Sequence, residues 1–112
     1  MRLLAAIAAV ALSGCTSFAE MRDREPAISS GTAKSPDAYL GCVQPRLAAR
    51  WPQLTTIRDG DGWVVSVADH ANVLASVTVR PDGSGSTVEY RQANNLTWGA
   101  FAHYRQAVHD CL

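Results

Sequence analysis

The amino-acid sequence predicts an α+β domain, a two-layer sandwich in the order helix, three-stranded antiparallel meander, helix, with both helices on one face of the sheet and a disulfide between them. Three observations predict it. Apolar residues recur at helical spacing after residue 36 and again toward the C-terminus. Between those segments, three runs alternate with period two and are joined by turn-forming residues. Two cysteines, Cys42 and Cys111, fall one in each predicted helix. The chain has 112 residues, room for one such domain. Ten basic and ten acidic side chains leave a formal net charge of zero, so no basic field attracts phosphate and nucleic acid is not an expected partner.

Taken in order, the chain starts with Met1-Arg2 and an uninterrupted apolar run, Leu3 to Leu12. Ten helical residues span ~15 Å, about half the hydrocarbon core of a bilayer, so the run is too short to cross. It has the length of a signal-peptide apolar region. Leu12-Ser13-Gly14-Cys15 follows: a branched residue, two small residues and a cysteine. This stretch resembles the lipobox of bacterial lipoproteins. The resemblance implies cleavage between Gly14 and Cys15 and a diacylglyceryl group on the Cys15 thiol. An ordinary secretory signal with an incidental cysteine is the competing reading. Thr16, where an aspartate would retain such a protein at the inner membrane, implies sorting to the outer membrane. Residues 1–14 are thus expected to be a signal peptide, and 15–35 the lipidated cysteine with a flexible tether. The tether residues show no sustained apolar period and are rich in Ser, Thr, Gly and charge. About 20 such residues have an r.m.s. reach on the order of 25 Å.

The folded domain is expected over 36–112. Ser35-Pro36-Asp37 is a helix start, with a hydroxyl cap, proline at the first helical position and an acid in the first turn. Tyr39, Leu40, Val43, Leu47 and Trp51 continue at helical spacing. Pro45 frees the Gly41 carbonyl and predicts a kink, and Pro52 closes the element. Trp63, Val65 and Val67 form the apolar side of a first strand, Val73, Ala75, Val77 and Val79 that of a second, and Val88 and Tyr90 that of a third. Asp69-His70-Ala71-Asn72 and Pro81-Asp82-Gly83-Ser84-Gly85 link them. Asn94 or Asn95 caps a last helix carrying Trp98, Phe101, Tyr104, Val108 and Cys111 near one stripe.

With Cys15 assigned to lipid, Cys42 and Cys111 form an even pair in an exported chain, which predicts a disulfide. Such a bond closes a loop of roughly 70 residues and contributes ~4 kcal/mol on the chain-entropy model. Two buried free thiols are the alternative.

No catalytic constellation stands out, and neither an enzyme nor a bound cofactor is expected. His103 and His109 lie six apart on one helix and do not face a common metal, while His70 sits in a turn. Asp59-Gly60-Asp61-Gly62 starts like a calcium loop, but Trp63 and Val64 occupy the positions of a ligand and the required glycine, so a turn is expected. Gly83-Ser84-Gly85 precedes a strand rather than a helix and is no phosphate cradle. Trp51, Trp63, Trp98 and Tyr104 are read as core packing, with an aromatic ligand groove as the alternative.

The pattern Ser-Pro-x-x-Tyr-x-x-Cys-Val-x-Pro-x-Leu-x-x-x-Trp over Ser35 to Trp51, with a β-rich middle and an Asp-Cys-Leu end, resembles a family of small proteobacterial lipoproteins, from which no activity carries over. Asp37 to Trp51 together with Val-Thr-Val-Arg-Pro-Asp-Gly at 77–83 is similar to the C-terminal domains of TonB and TolA. Those pack helices on a three-stranded sheet and bind envelope partners. The energy-transducing role of TonB and TolA does not carry over, since their long periplasm-spanning region and transmembrane anchor have no counterpart here. The lipid anchor, the flexible tether and a compact domain without reactive groups instead lead us to expect a monomer held to the outer membrane by lipid on Cys15, facing the periplasm and acting as an interaction module toward an envelope protein. The alternative is an inhibitor or immunity protein against a periplasmic hydrolase. An unpaired sheet edge, at Thr87 to Arg91 or Trp63 to Ala68, is the expected docking position.

Overall fold

Ser35 is the N-cap of a 13-residue helix, and its side chain accepts from the Ala38 N–H. In the computed structural model, which describes residues 17–69, 72–93 and 99–112, this helix is the second of three. In chain order the elements are α1 (Phe18–Asp23), β1 (Ile28–Thr32), α2 (Pro36–Ala48), β2 (Thr55–Asp59), β3 (Gly62–Asp69), β4 (Asn72–Asp82), β5 (Gly85–Gln92) and α3 (Ala100–Asp110). The expected leader, Gly14, Cys15, His70, the Asn94 or Asn95 cap and Trp98 lie outside the described residues.

The fold is α+β, and the strand count corrects the expectation. The sheet is five-stranded and antiparallel in the order β1-β5-β4-β3-β2. The three expected strands are its middle, and a short strand is added on each side. β2 pairs with β3 through Ile57 opposite Val64 and Arg58 opposite Trp63. β1 pairs with β5 through Ile28 opposite Tyr90 and Ser30 opposite Val88. An edge strand needs backbone partners and only modest side-chain burial, so β2 (Thr-Thr-Ile-Arg-Asp) and β1 (Ile-Ser-Ser-Gly-Thr) carry little of the apolar alternation that marks β3 to β5.

The segment read as a tether is also corrected. Residues 17–32 hold α1 and β1, both laid onto the sheet. Ser17 caps α1 by accepting from the Glu20 N–H, and Met21 is 1% exposed. A six-residue helix is too short to produce a sustained apolar period, which is why the composition reads as polar linker.

α2 and α3 share one sheet face, as expected. Tyr39, Leu40, Val43 and Leu47 of α2 and Tyr104, Ala107 and Val108 of α3 join Val65, Val67, Ala75, Val77, Val79, Val88 and Tyr90 in one cluster. Met21 and Val64 are buried apart from that cluster, because α1 covers the opposite face. The architecture is therefore three layers: a helix pair, the sheet, and one short helix. Pro45 and Gly41 both lie on the exposed side of α2, so the carbonyl that proline leaves unbonded faces solvent. α3 begins after Gly99, which adopts φ 65° and provides no side-chain cap.

Candidate functional site

The C-terminus of α3 is bound to α2 by the bond the sequence predicts. Cys42 and Cys111 form a disulfide, with S–S 2.07 Å and Cα atoms 5.7 Å apart. Polar contacts continue the staple. Thr32 Oγ1 donates to the Leu112 carbonyl at 2.8 Å, and Lys34 Nζ donates to the Cys111 carbonyl. The β1–α2 connection and the end of α3 are thereby tied together. Of the three cysteines, only Cys15 remains for other chemistry.

On the opposite face, α1 and the sheet enclose a cleft of about 130 Å³ between Met21, Val64, Ser76, Thr78 and the charged residues Arg22, Asp59, Arg80, Glu89 and Arg91. The register explains this grouping. Val64, Ser76 and Thr78 point away from the helix pair, and Thr78 is opposite both Val64 on β3 and Glu89 on β5. Asp59 is the centre of the ion cluster. One carboxylate oxygen accepts from Arg80 at 3.0 Å and the other from Arg22 at 3.4 Å. Arg80 also donates to the Asp59 carbonyl at 3.0 Å and to Asp61 at 3.3 Å. Arg91 pairs with Glu89 and donates through Nε to the Arg24 carbonyl at 2.7 Å. Arg24 in turn donates to the Gln92 carbonyl at 3.1 Å. Chemically this is a set of mutually neutralised charges that fastens α1 to the sheet.

Asp59-Gly60-Asp61-Gly62 is the β2–β3 hairpin turn, as expected, but its two acids do more than form the turn. They anchor Arg80 and Arg22, contacts that depend on the register and on α1. The hairpin itself was a usable signal, since an Asp-Gly turn before β3 requires a partner strand at Thr55–Asp59. For α1, Ser17 three residues before Glu20 is a capping pattern that marks its start.

Among the described residues, the aromatic side chains named for a ligand groove do not line one common cleft. Tyr104 is buried and stacked on Tyr90, with centroids 5.1 Å apart, and Trp51 lies against Tyr104 at 5.4 Å and edge-on to His103 at 6.0 Å. Trp63 instead borders a separate cleft with Leu40, Gln44 and Thr56, and the Arg58 guanidinium lies 4.9 Å over its ring. His103 and His109 are both exposed. Among the described residues no group of three His, Cys, Asp or Glu side chains is placed to hold a metal ion.

Both sheet edges expected to receive a partner strand are internal over most of their length. β1 pairs along Ser86–Tyr90 and so covers Thr87 to Tyr90, and β2 pairs along Gly62–Ser66 and so covers Trp63 to Ser66; Arg91, Val67 and Ala68 run past the ends of those ladders. The true edges are five residues long, and β2 carries Arg58 and Asp59, features that blunt strand addition. Among the described residues no helix is long and apolar enough to cross a membrane.

Comparison with protein-family models, curated proteins and solved structures finds no match for this chain.

Proposed function

We propose that this chain is a lipid-anchored protein of the bacterial envelope, acylated at Cys15 after cleavage behind Gly14, held at the outer membrane facing the periplasm. Its domain acts there as a non-enzymatic interaction module. One observation carries the reading. The Cys42–Cys111 disulfide engages two of three cysteines, which suits an oxidising compartment and leaves the lipobox cysteine alone for lipid. Two or more acyl chains at one cysteine anchor stably, since each buried methylene contributes about 0.8 kcal/mol. The module reading is supported by a stapled scaffold whose cleft charges are spent on one another, leaving its outer surfaces to make contacts.

Metabolic labelling with palmitate tests the anchor. The native chain incorporates label and partitions with membranes, whereas Cys15→Ser incorporates none and is recovered as soluble or uncleaved precursor. A Cys15→Ser chain that stayed membrane-bound with the mass of an acylated protein would overturn the assignment. Crosslinking in intact cells tests the module, which requires a reproducible envelope partner that depends on the folded domain. Enzymatic turnover of an envelope substrate by the purified domain would overturn that part.

A further inference from the structure

We infer that the α1-bearing face of the sheet lies directly against the lipid surface, with the α2–α3 layer turned away from it. This rests on the acylation of Cys15 proposed above. Its occupant is the membrane carrying the anchor, and the reason is chain length. From Ser17 onward the backbone is fixed to the sheet. Met21 is buried, Arg22 pairs with Asp59, Arg91 donates to the Arg24 carbonyl and Arg24 to the Gln92 carbonyl, and the Ala27 N–H donates to the Tyr90 carbonyl at 2.8 Å. Only Thr16 separates Cys15 from the Ser17 cap. Two Cα–Cα steps span at most about 7.6 Å. A cysteine whose acyl chains sit in the bilayer therefore holds the first turn of α1 at the headgroups. The reach of about 25 Å that a free 20-residue linker would provide is not available.

The composition of that face fits contact with lipid. Ile57, the exposed large hydrophobic residue among those described, is 37% exposed and lies opposite Val64, on the α1 side. Arg22 and Arg80, 59% and 39% exposed, lie on the same side with their guanidinium groups paired to Asp59, and their apolar stems can lie along the acyl boundary. Attraction to anionic lipid is not what holds the face down. The acids of α1 and this side, Glu20, Asp23, Glu25, Asp59, Asp61 and Glu89, outnumber Arg22, Arg24, Arg80 and Arg91. The covalent tie imposes the proximity, so it is insensitive to salt and to lipid charge, unlike a polybasic contact.

Photocrosslinking tests the orientation. The full lipidated chain is purified from cells, its acylation is verified by mass, and it is reconstituted into phosphatidylethanolamine–phosphatidylglycerol vesicles. Benzoylphenylalanine replaces either Ile57 or His109, an exposed residue of α3 on the far layer. The Ile57 position crosslinks to lipid several-fold more than the His109 position, at low and high salt alike. Inserting twenty Gly/Ser residues between Thr16 and Ser17 removes the difference. Equal labelling at the two positions, or a difference unchanged by the insertion, overturns the close docking while leaving the anchor standing. A mature chain without acyl groups overturns both.

Discussion

Two of the sheet's hairpins, β2–β3 and β4–β5, turn on the same residue pattern, Asp59-Gly60-Asp61-Gly62 and Asp82-Gly83-Ser84-Gly85. In each, the first glycine takes positive φ, 62° at Gly60 and 59° at Gly83, as a two-residue hairpin loop demands. The last glycine answers a different need, close approach. A Cβ on Gly85 would stand 2.2 Å from the Thr32 carbonyl oxygen, and one on Gly62 would stand 2.5 Å from that of Val79. Both obstacles are backbone in paired strands and cannot swing aside. Gly85→Ala is therefore expected to destabilise by about 1–3 kcal/mol, the usual cost of overpacking. Gly31→Ala, whose nearest non-neighbour atom is 3.9 Å away, is expected to change stability little. Urea unfolding of the two variants side by side checks the contrast. Tyr39 gives a second residue-scale test. Its hydroxyl donates to the Val108 carbonyl at 2.8 Å in the last turn of α3, where helical bonding runs out. Tyr39→Phe leaves that buried carbonyl without its donor and costs about 1–3 kcal/mol, read as a lower denaturation midpoint at unchanged slope.

At the scale of elements, α1 is anchored on the sheet by the buried Met21. Met21→Ala is expected to cost about 2–5 kcal/mol, and to detach α1 before the rest unfolds, so limited proteolysis cuts first near residues 18–25. Cleavage distributed evenly along the chain would show that α1 is not a separate unit. The disulfide acts on the other layer. Replacing Cys42 and Cys111 by Ala keeps the fold but lowers stability by about 2–5 kcal/mol, most visibly in thermal melts. These two layers also differ in how far the sequence disclosed them. α2 was legible because Ser35-Pro36 marks its start and Tyr39, Leu40, Val43 and Leu47 repeat on one stripe. β3, β4 and β5 were legible because strands with one face on a core alternate. β1 was not, since Ser29, Ser30 and Gly31 bury little and its place is decided by long-range pairing with β5. Nor was the ion cluster, because Asp59, Arg22 and Arg80 are neighbours only once α1 has crossed the sheet.

For the molecule as a whole, the layers are joined through the chain's three tyrosines. Tyr39 links α2 to α3 through Val108, Tyr104 links α3 to the sheet by donating to the Val65 carbonyl at 3.0 Å, and Tyr90 lies stacked under Tyr104. Burial raises the pKa of all three phenols. For Tyr90 the nearby Arg105 charge opposes the rise, and for Tyr104 the other two tyrosines add to it. In the unfolded chain each phenol titrates near its ordinary value of about 10. A group whose folded pKa is raised contributes its stability in full below the unfolded pKa and loses it as pH climbs toward the folded one. Stability from these groups is thus constant through neutral pH and falls above about pH 10, with three phenols pulling on the same equilibrium. Because burial raises all three phenols, the folded protein has none to titrate near the ordinary value. An alkaline titration should show the tyrosinate absorbance band emerging together with loss of far-ultraviolet circular dichroism, in one transition. A phenol ionising near pH 10 while the dichroism stayed native would mean that at least one of these tyrosines is open to water and does not join the layers.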